Sequence, residues 1–386
     1  MTGAQLYGFR RPDGGIGIRN YVAVIAVMDN SSPTVRRIAA SVRDGVAIAP
    51  GAGRGLMGED WAQHVRTLIG LGTNPNVAGA VVVSLEPESA KLVGDGIART
   101  GRPVEIISLQ DVGGTVKATE AGIRAAADIA SSIAGGGCVP LPWSELVVGV
   151  ECGGSDGSSG IVGNPATGIM ADRVVQRGGT VIMSEPIEIV GGEHLLAKRA
   201  KNEEVARRLY DAVNRCVNYS REVGIDPFKA NPGPDNIAGG LSTIEEKALG
   251  AIKKGGSSTL NEVVSHSVRP TEKGLILMDA PAAAVENLTA LAAGGTHLIL
   301  FSTGRGSPAG NPVAPTLKIS GNPFTVRIMH DNIDIDLSAV MTGGLSLERA
   351  ADLIEAEMVA VCNGKATRAD LLGEVEVAVS RTLRTL

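Results

Sequence analysis

The chain lacks most of what would tie it to nucleic acid, a membrane or an oxidising compartment. Aromatic residues make up only 3% of its 386 residues, which argues against base-stacking surfaces. The net charge of -5 leaves no basic face for a phosphate backbone. No apolar run approaches the roughly 18 residues that a membrane-spanning helix needs. Met1 to Arg11 contains no apolar signal core. Cys138, Cys152, Cys216 and Cys362 are widely scattered, with no CxxC pair and no disulfide framework. A reducing cytoplasm is the expected compartment. The phosphate-loop pattern GxxxxGK[ST] and the zinc pattern HExxH are both absent. Gly14-Gly15-Ile16-Gly17 precedes the first strand, the wrong place for a dinucleotide fingerprint. Gly51-Ala52-Gly53-Arg54-Gly55 follows a strand, but with the wrong spacing and no acidic partner, so no nicotinamide is expected.

What remains is an α/β enzyme in outline. The length is too great for one ordinary core. Short apolar runs alternate with longer amphipathic stretches, which predicts parallel sheets with crossover helices. Strands are expected at Tyr21 to Met28, Val46 to Ala49, Gly79 to Leu85 and Val104 to Leu109. A second series begins at Glu145, with strands at Leu146 to Val150, Thr180 to Ser184, Leu275 to Asp279, His297 to Ser302 and Thr325 to Ile328. Ala134 to Pro142, rich in glycine and proline, reads as a linker. The expectation is two doubly wound domains with largely parallel sheets, residues 1–140 and 141–386, and a crevice between them.

The most informative stretch is Glu151-Cys152-Gly153-Gly154-Ser155-Asp156-Gly157-Ser158-Ser159-Gly160, followed by Asn164-Pro165. It directly follows a predicted buried strand, and open α/β sheets bind ligands at the carboxyl ends of their strands. Its glycines let the backbone approach a ligand closely. Free cysteines are mostly small buried hydrophobes, but this setting is polar. No His lies in the motif to act as a base for Cys152, so ligation or substrate contact is favoured over nucleophilic attack. Glu185 ends the next strand at the same edge and is a candidate acid, base or ligand. Phe301-Ser302-Thr303-Gly304-Arg305-Gly306 follows another strand. A flexible backbone with one Arg suits a carboxylate, because Arg binds planar anions through two parallel bonds. Thr243 to Glu246 fits a capping box, and Lys247 beyond it is in reach of an anion. Glu86 ends a strand of the first series, with helix-start electrostatics as the plainer account.

These motifs together resemble the altronate/galactarate dehydratase family. Tyr7-Gly8-Phe9-Arg10-Arg11-Pro12-Asp13-Gly14 and Gly17-Ile18-Arg19-Asn20 look like its opening. The Cys152 loop looks like its central motif, and Ala238-Gly239-Gly240, Thr243 to Lys247 and Phe301 to Gly306 follow in order. Within the family, Gly58-Glu59-Asp60, His64 and Asn74 to Ala78 are nearer the large subunit of sulfolactate sulfo-lyases. Pro50, Gly51 and Leu85 stand where the dehydratases carry His and Cys. The resemblance implies β-elimination from a 2-hydroxy acid to a 2-oxo acid, assisted by a divalent metal, Fe2+ or Mn2+. The catalytic candidates are Glu185, Asp156 and Glu86. The substrate-binding candidates are Ser155, Asn164, Lys247, Thr303, Gly304 and Arg305, and the metal candidates are Cys152 and Glu185. Expected partners are the small-molecule 2-hydroxy acid, a small accessory subunit and further copies of the chain. A sugar-acid dehydratase and a non-catalytic sugar-acid-binding subunit are the competing readings.

Overall fold

The computed structural model describes residues 4–383 and residue 385. Strands β1 (Leu6–Arg10) and β2 (Ile16–Gly17) open the chain as an antiparallel pair. Four strands then form a parallel sheet: β3 (Tyr21–Ala26), β4 (Gly45–Ile48), β5 (Val77–Ser84) and β6 (Val104–Ser108), in the order β4-β3-β5-β6. Every residue of β5 is buried, as its unbroken small and apolar sequence requires of a strand covered on both faces. β7 (Cys138–Leu141) then returns to pair antiparallel with β1, so the expected linker contains a strand.

The second parallel sheet has seven strands: β8 (Val147–Cys152), β9 (Thr180–Met183), β10 (Leu260–Ser265), β11 (Gly274–Asp279), β12 (Leu298–Ser302), β13 (Thr316–Ser320) and β14 (Ile335–Asp336). Their order is β10-β11-β9-β8-β12-β13-β14. The winding reverses between β8 and β12, and in the smaller sheet between β3 and β5. Ligands of open α/β sheets bind at such reversals. The loops after β8 and β12 therefore meet at the reversal of the larger sheet.

Three further stretches depart from the sequence reading. Thr325–Ile328 is helical, not a strand, because Asn322 caps the segment and Pro323 starts its first turn. β13 escaped detection because Lys318 interrupts its apolar pattern, yet that lysine is buried. β10 is an edge strand, and polar Asn261 and Glu262 hide it in the sequence.

Helices Ser32–Ala39 and Thr115–Ile133 bury their apolar faces on one side of the smaller sheet. Helices Gly58–Gly72 and Pro87–Ala98 cover the other side. That second layer continues into the larger sheet through helix Ala284–Ala293, so one apolar core joins both sheets. The approach is close at Gly70, where a Cβ would fall 2.5 Å from the Ala293 carbonyl oxygen. Helices Asn164–Gln176, Glu203–Glu222, Ile244–Lys253 and Leu347–Cys362 cover the far face of the larger sheet.

Candidate active site

The glycine loop lies at the reversal between β8 and β12, and its partners hold it from three sides. The Gly153 amide donates to the Ser302 carbonyl (3.2 Å), and the Arg305 amide donates to the Gly154 carbonyl (2.8 Å). Asp156 organises the loop. Its carboxylate accepts from the Ser158 hydroxyl (2.6 Å), the Ser159 amide (3.0 Å) and the Asn322 side-chain amide (2.7 Å). Gly304 has to be glycine here, since a Cβ would lie 2.0 Å from Asp156 Oδ1. The loops after β8 and β12 thus form one unit, and Asp156, Thr303, Gly304 and Arg305 come together as the motif order suggests.

Beneath this loop is a fully buried ionic group. Lys254, at the end of helix Ile244–Lys253, donates to Cys152 Sγ at 3.0 Å and to Glu185 Oε2. Glu185 Oε2 also accepts from the Cys152 amide at 3.4 Å. Glu185 sits at φ +67°, a left-handed conformation that costs a non-glycine residue strain and that recurs at functional sites. Burial pushes its carboxyl up to about 7, against the pull of the Lys254 ammonium. Burial likewise pushes the Cys152 thiol up to about 12, aided by the Glu185 charge, so it is a neutral thiol. Burial works against the Lys254 charge, but the hydrogen bond to Cys152 and the Glu185 carboxylate raise it and keep the ammonium charged. Glu151 lies deeper. Burial and then Glu185 raise it well above the usual carboxylate range, and neither of its oxygens has a partner among the described residues. It is therefore a carboxylic acid rather than a carboxylate.

Sequence reasoning reached Cys152 and Glu185 but not Lys254. Lys253 and Lys254 look alike as basic residues ending a helix, where a lysine ordinarily complements the helix dipole in solvent. The structure exposes the first and buries the second. In the sequence Glu151 is only one residue of the motif, and nothing there marks its carboxyl as buried without a partner.

The remaining candidates fall in three places. Lys247 is nearly buried and paired with Glu188 at 2.9 Å, and it also donates to Asn231 (2.8 Å) and Asn236 (3.1 Å). Asn236 in turn donates to the Ser155 carbonyl (2.9 Å), and the Gly157 amide donates to the Gly239 carbonyl (3.0 Å). Lys247 thus ties the segment around Pro234–Ala238 over the glycine loop. Asn164 donates to the Gly250 carbonyl at 3.1 Å, leaving its own oxygen without a partner among the described residues. Arg305 is exposed beside the loop. Glu86 stands apart on the smaller sheet, where its carboxylate caps helix Pro87–Ala98 by accepting from the Glu88 and Ser89 amides.

The donor set does not fit the expected divalent ion. The Lys254 ammonium already occupies the space between Cys152 Sγ and the Glu185 carboxylate. No group of three His, Cys, Asp or Glu among the described residues converges to hold an ion. A fixed ammonium between a thiol and a carboxylate that titrates near neutrality suits proton transfer beside a developing anion.

Residues 143–385 match the family described as "D-galactarate/Altronate dehydratase, C-terminal", and residues 8–134 match "D-galactarate dehydratase/Altronate hydrolase, second domain". The chain is 37% identical to the (2R)-sulfolactate sulfo-lyase subunit beta of Chromohalobacter salexigens, over 99% of this chain and 98% of that one. It is 36% identical to the galactarate dehydratase (L-threo-forming) of Escherichia coli, over 78% of this chain and 59% of that one. It is 33% identical to the altronate dehydratase of Bacillus subtilis, over 82% of this chain and 65% of that one. The match therefore spans under two thirds of these two dehydratases.

Proposed function

The chain belongs to the D-galactarate/altronate dehydratase family, and from that premise we propose that it is a lyase eliminating the β-substituent of a 2-hydroxy acid. The observation that carries the reading is the buried Cys152–Glu185–Lys254 group under a glycine loop at the sheet's reversal. Such an elimination begins with loss of the weakly acidic proton beside the substrate carboxylate. Glu185 is the base, since a carboxyl titrating near 7 both accepts and returns protons near neutral pH. The negative charge that develops on the carboxylate is stabilised by the Lys254 ammonium, which is preorganised and shielded from water. Arg305 at the loop's rim takes the carboxylate or the second anionic group of the substrate. The bond from the β-carbon to its substituent breaks, the substituent leaves with the electron pair, and the remaining enol takes a proton at the β-carbon as it tautomerises to the 2-oxo acid. No step runs through a metal. Glu185 and Lys254 are fully buried, so substrate entry requires the structure over them to open.

We assign sulfolactate-type substrates ahead of sugar acids because the match to a sulfo-lyase subunit runs end to end in both chains. Sulfite is also a better leaving group than water and needs less acid behind it. The dehydratase identities of 33% and 36% keep the sugar-acid reading second. An accessory subunit goes with the first reading, because that relative is named as one subunit of its enzyme. The four cysteines are all free, which supports a cytoplasmic setting. No helix among the described residues is long and apolar enough to cross a membrane.

The experiment is a panel of sulfolactate, altronate and galactarate, reading sulfite and 2-oxo acid separately. Sulfite and 2-oxo acid in equal amounts from sulfolactate are the expected result. A 2-oxo acid from the sugar acids alone would move the assignment to the dehydratases. Product from none of them would overturn the lyase reading.

A further inference from the structure

Buried hydroxyl and amide groups are nearly always hydrogen-bonded, so a cluster of them without partners calls for a ligand. Ser302 Oγ, Thr167 Oγ1 and Asn164 Oδ1 have no partner among the described residues, and their side chains are no more than 2% exposed. Comparable residues elsewhere are satisfied. Ser84 and Ser184, also buried at strand ends, pair with Ser89 and Asn287, each at 2.9 Å. Thr67, Thr119 and Thr289 donate to the carbonyl four residues back in their helices. For Thr167 that carbonyl belongs to Gly163, the last residue of a π-helical turn, Ser159–Gly163, and the bond is not made. Turns of this kind recur at functional sites.

The three groups share one location. Ser302 is the register partner of Cys152, so the two side chains leave the sheet on the same face. Gly163 packs on Ser302, where a Cβ would fall 2.3 Å from Ser302 Oγ. Asn164 comes next, and Thr167 is one turn further along the buried side of helix Asn164–Gln176. At Gly168 a Cβ would fall 2.0 Å from the Lys253 carbonyl oxygen, so the helix there meets the backbone leading into Lys254. Asn164 and Thr167 therefore lie between Ser302 and the end of the helix that carries Lys254. Glu185 Oε1 is likewise buried without a partner among the described residues.

We propose that Ser302, Thr167 and Asn164 form the subsite for the 2-hydroxy-carboxylate end of the substrate. The proposal rests on the lyase reading above and supplies contacts that it lacks. The Asn164 side-chain amide donates to the Gly250 carbonyl, so its free atom is an acceptor and takes the proton of the 2-hydroxyl. The Ser302 and Thr167 hydroxyls donate to the carboxylate whose developing charge Lys254 stabilises. Sulfolactate and the sugar acids have this end in common. The subsite therefore selects 2-hydroxy acids as a class and leaves the β-substituent to other groups.

The test measures binding in the full-length Glu185→Gln protein, which holds substrate without turning it over. Calorimetry compares sulfolactate with 3-sulfopropanoate, which lacks only the 2-hydroxyl. This parent should bind sulfolactate at least about tenfold more tightly, because a site built to pair a hydroxyl rejects the analogue without it. Adding Asn164→Ala should bring the two ligands to within about twofold of each other. Adding Ser302→Ala or Thr167→Val should weaken both ligands by at least about tenfold, as loss of a hydrogen bond to a charged group does. Thr167→Val keeps the shape and removes an unpartnered hydroxyl, so its urea midpoint should be no lower than the parent's. Circular dichroism confirms that each variant is folded. No sulfolactate binding by the parent, continued discrimination by Asn164→Ala, or parental affinity in Ser302→Ala and Thr167→Val would overturn the proposal. A lowered urea midpoint for Thr167→Val would also overturn it, since the hydroxyl would then serve the fold. Product formation by wild type is read separately. Product with unaltered binding in the variants defeats the subsite alone, and the expected binding pattern without product defeats the lyase reading alone.

Discussion

At the residue scale the account depends on Glu185 and Lys254. Lys254 lowers the Glu185 titration, so Lys254→Met should move the acid limb of kcat/KM from near 7 to higher pH and cut kcat at least about a hundredfold. An acid limb that stays in place would remove Lys254 from the site. The same group sets a pH dependence of stability. The Glu185 carboxyl titrates at about 7 in the folded chain against 4.5 as its ordinary value, so its contribution is whole below about 4.5 and is lost as pH rises through 7. Glu185→Gln should flatten that decline in a urea-unfolding series from pH 4 to 8. Cys152→Ala should depress turnover strongly with less loss of stability than the roughly 2–5 kcal/mol of a large core truncation, because the side chain is small. Normal turnover would make Cys152 a packing residue. Cys152 and Glu185 were legible in the sequence because each ends an apolar strand run. Lys254 was not, because burial of one of two adjacent lysines depends on how helix Ile244–Lys253 meets the sheet.

At the element scale the glycine loop is rigid because Asp156 ties it to the loop after β12. Gly304→Ala forces Asp156 away, and should lower stability by about 1–3 kcal/mol together with activity. A folded, fully active Gly304→Ala protein would show that the two loops are not coupled. The alternation of strands and helices was readable because most strands are unbroken apolar runs with prolines and caps at the following helix starts. It failed at β13, where buried Lys318 disguises the strand, and at Thr325–Ile328, where a strand is expected but Asn322-Pro323 begins a helix. In both cases local composition yielded to a tertiary or capping contact that periodicity does not register.

At the scale of the whole molecule the two parallel sheets share a core through helices Gly58–Gly72 and Ala284–Ala293. The chain's last described turn also returns to the first of these helices, where Asp60 accepts from the Thr382 and Leu383 amides at 2.9 and 2.7 Å. A continuous core should make the protein unfold in one calorimetric transition, and two separated transitions would show that the sheets are independently stable. The central claim concerns the chemistry at the larger sheet's reversal. The most direct measurement is 2-oxo acid formation from sulfolactate by wild type and Glu185→Gln, side by side, each with the accessory chain present. The account predicts sustained product from wild type and a loss of at least about a thousandfold in the folded variant, as expected when a general base is removed from the reacting atoms. Equal rates from the two proteins would contradict it.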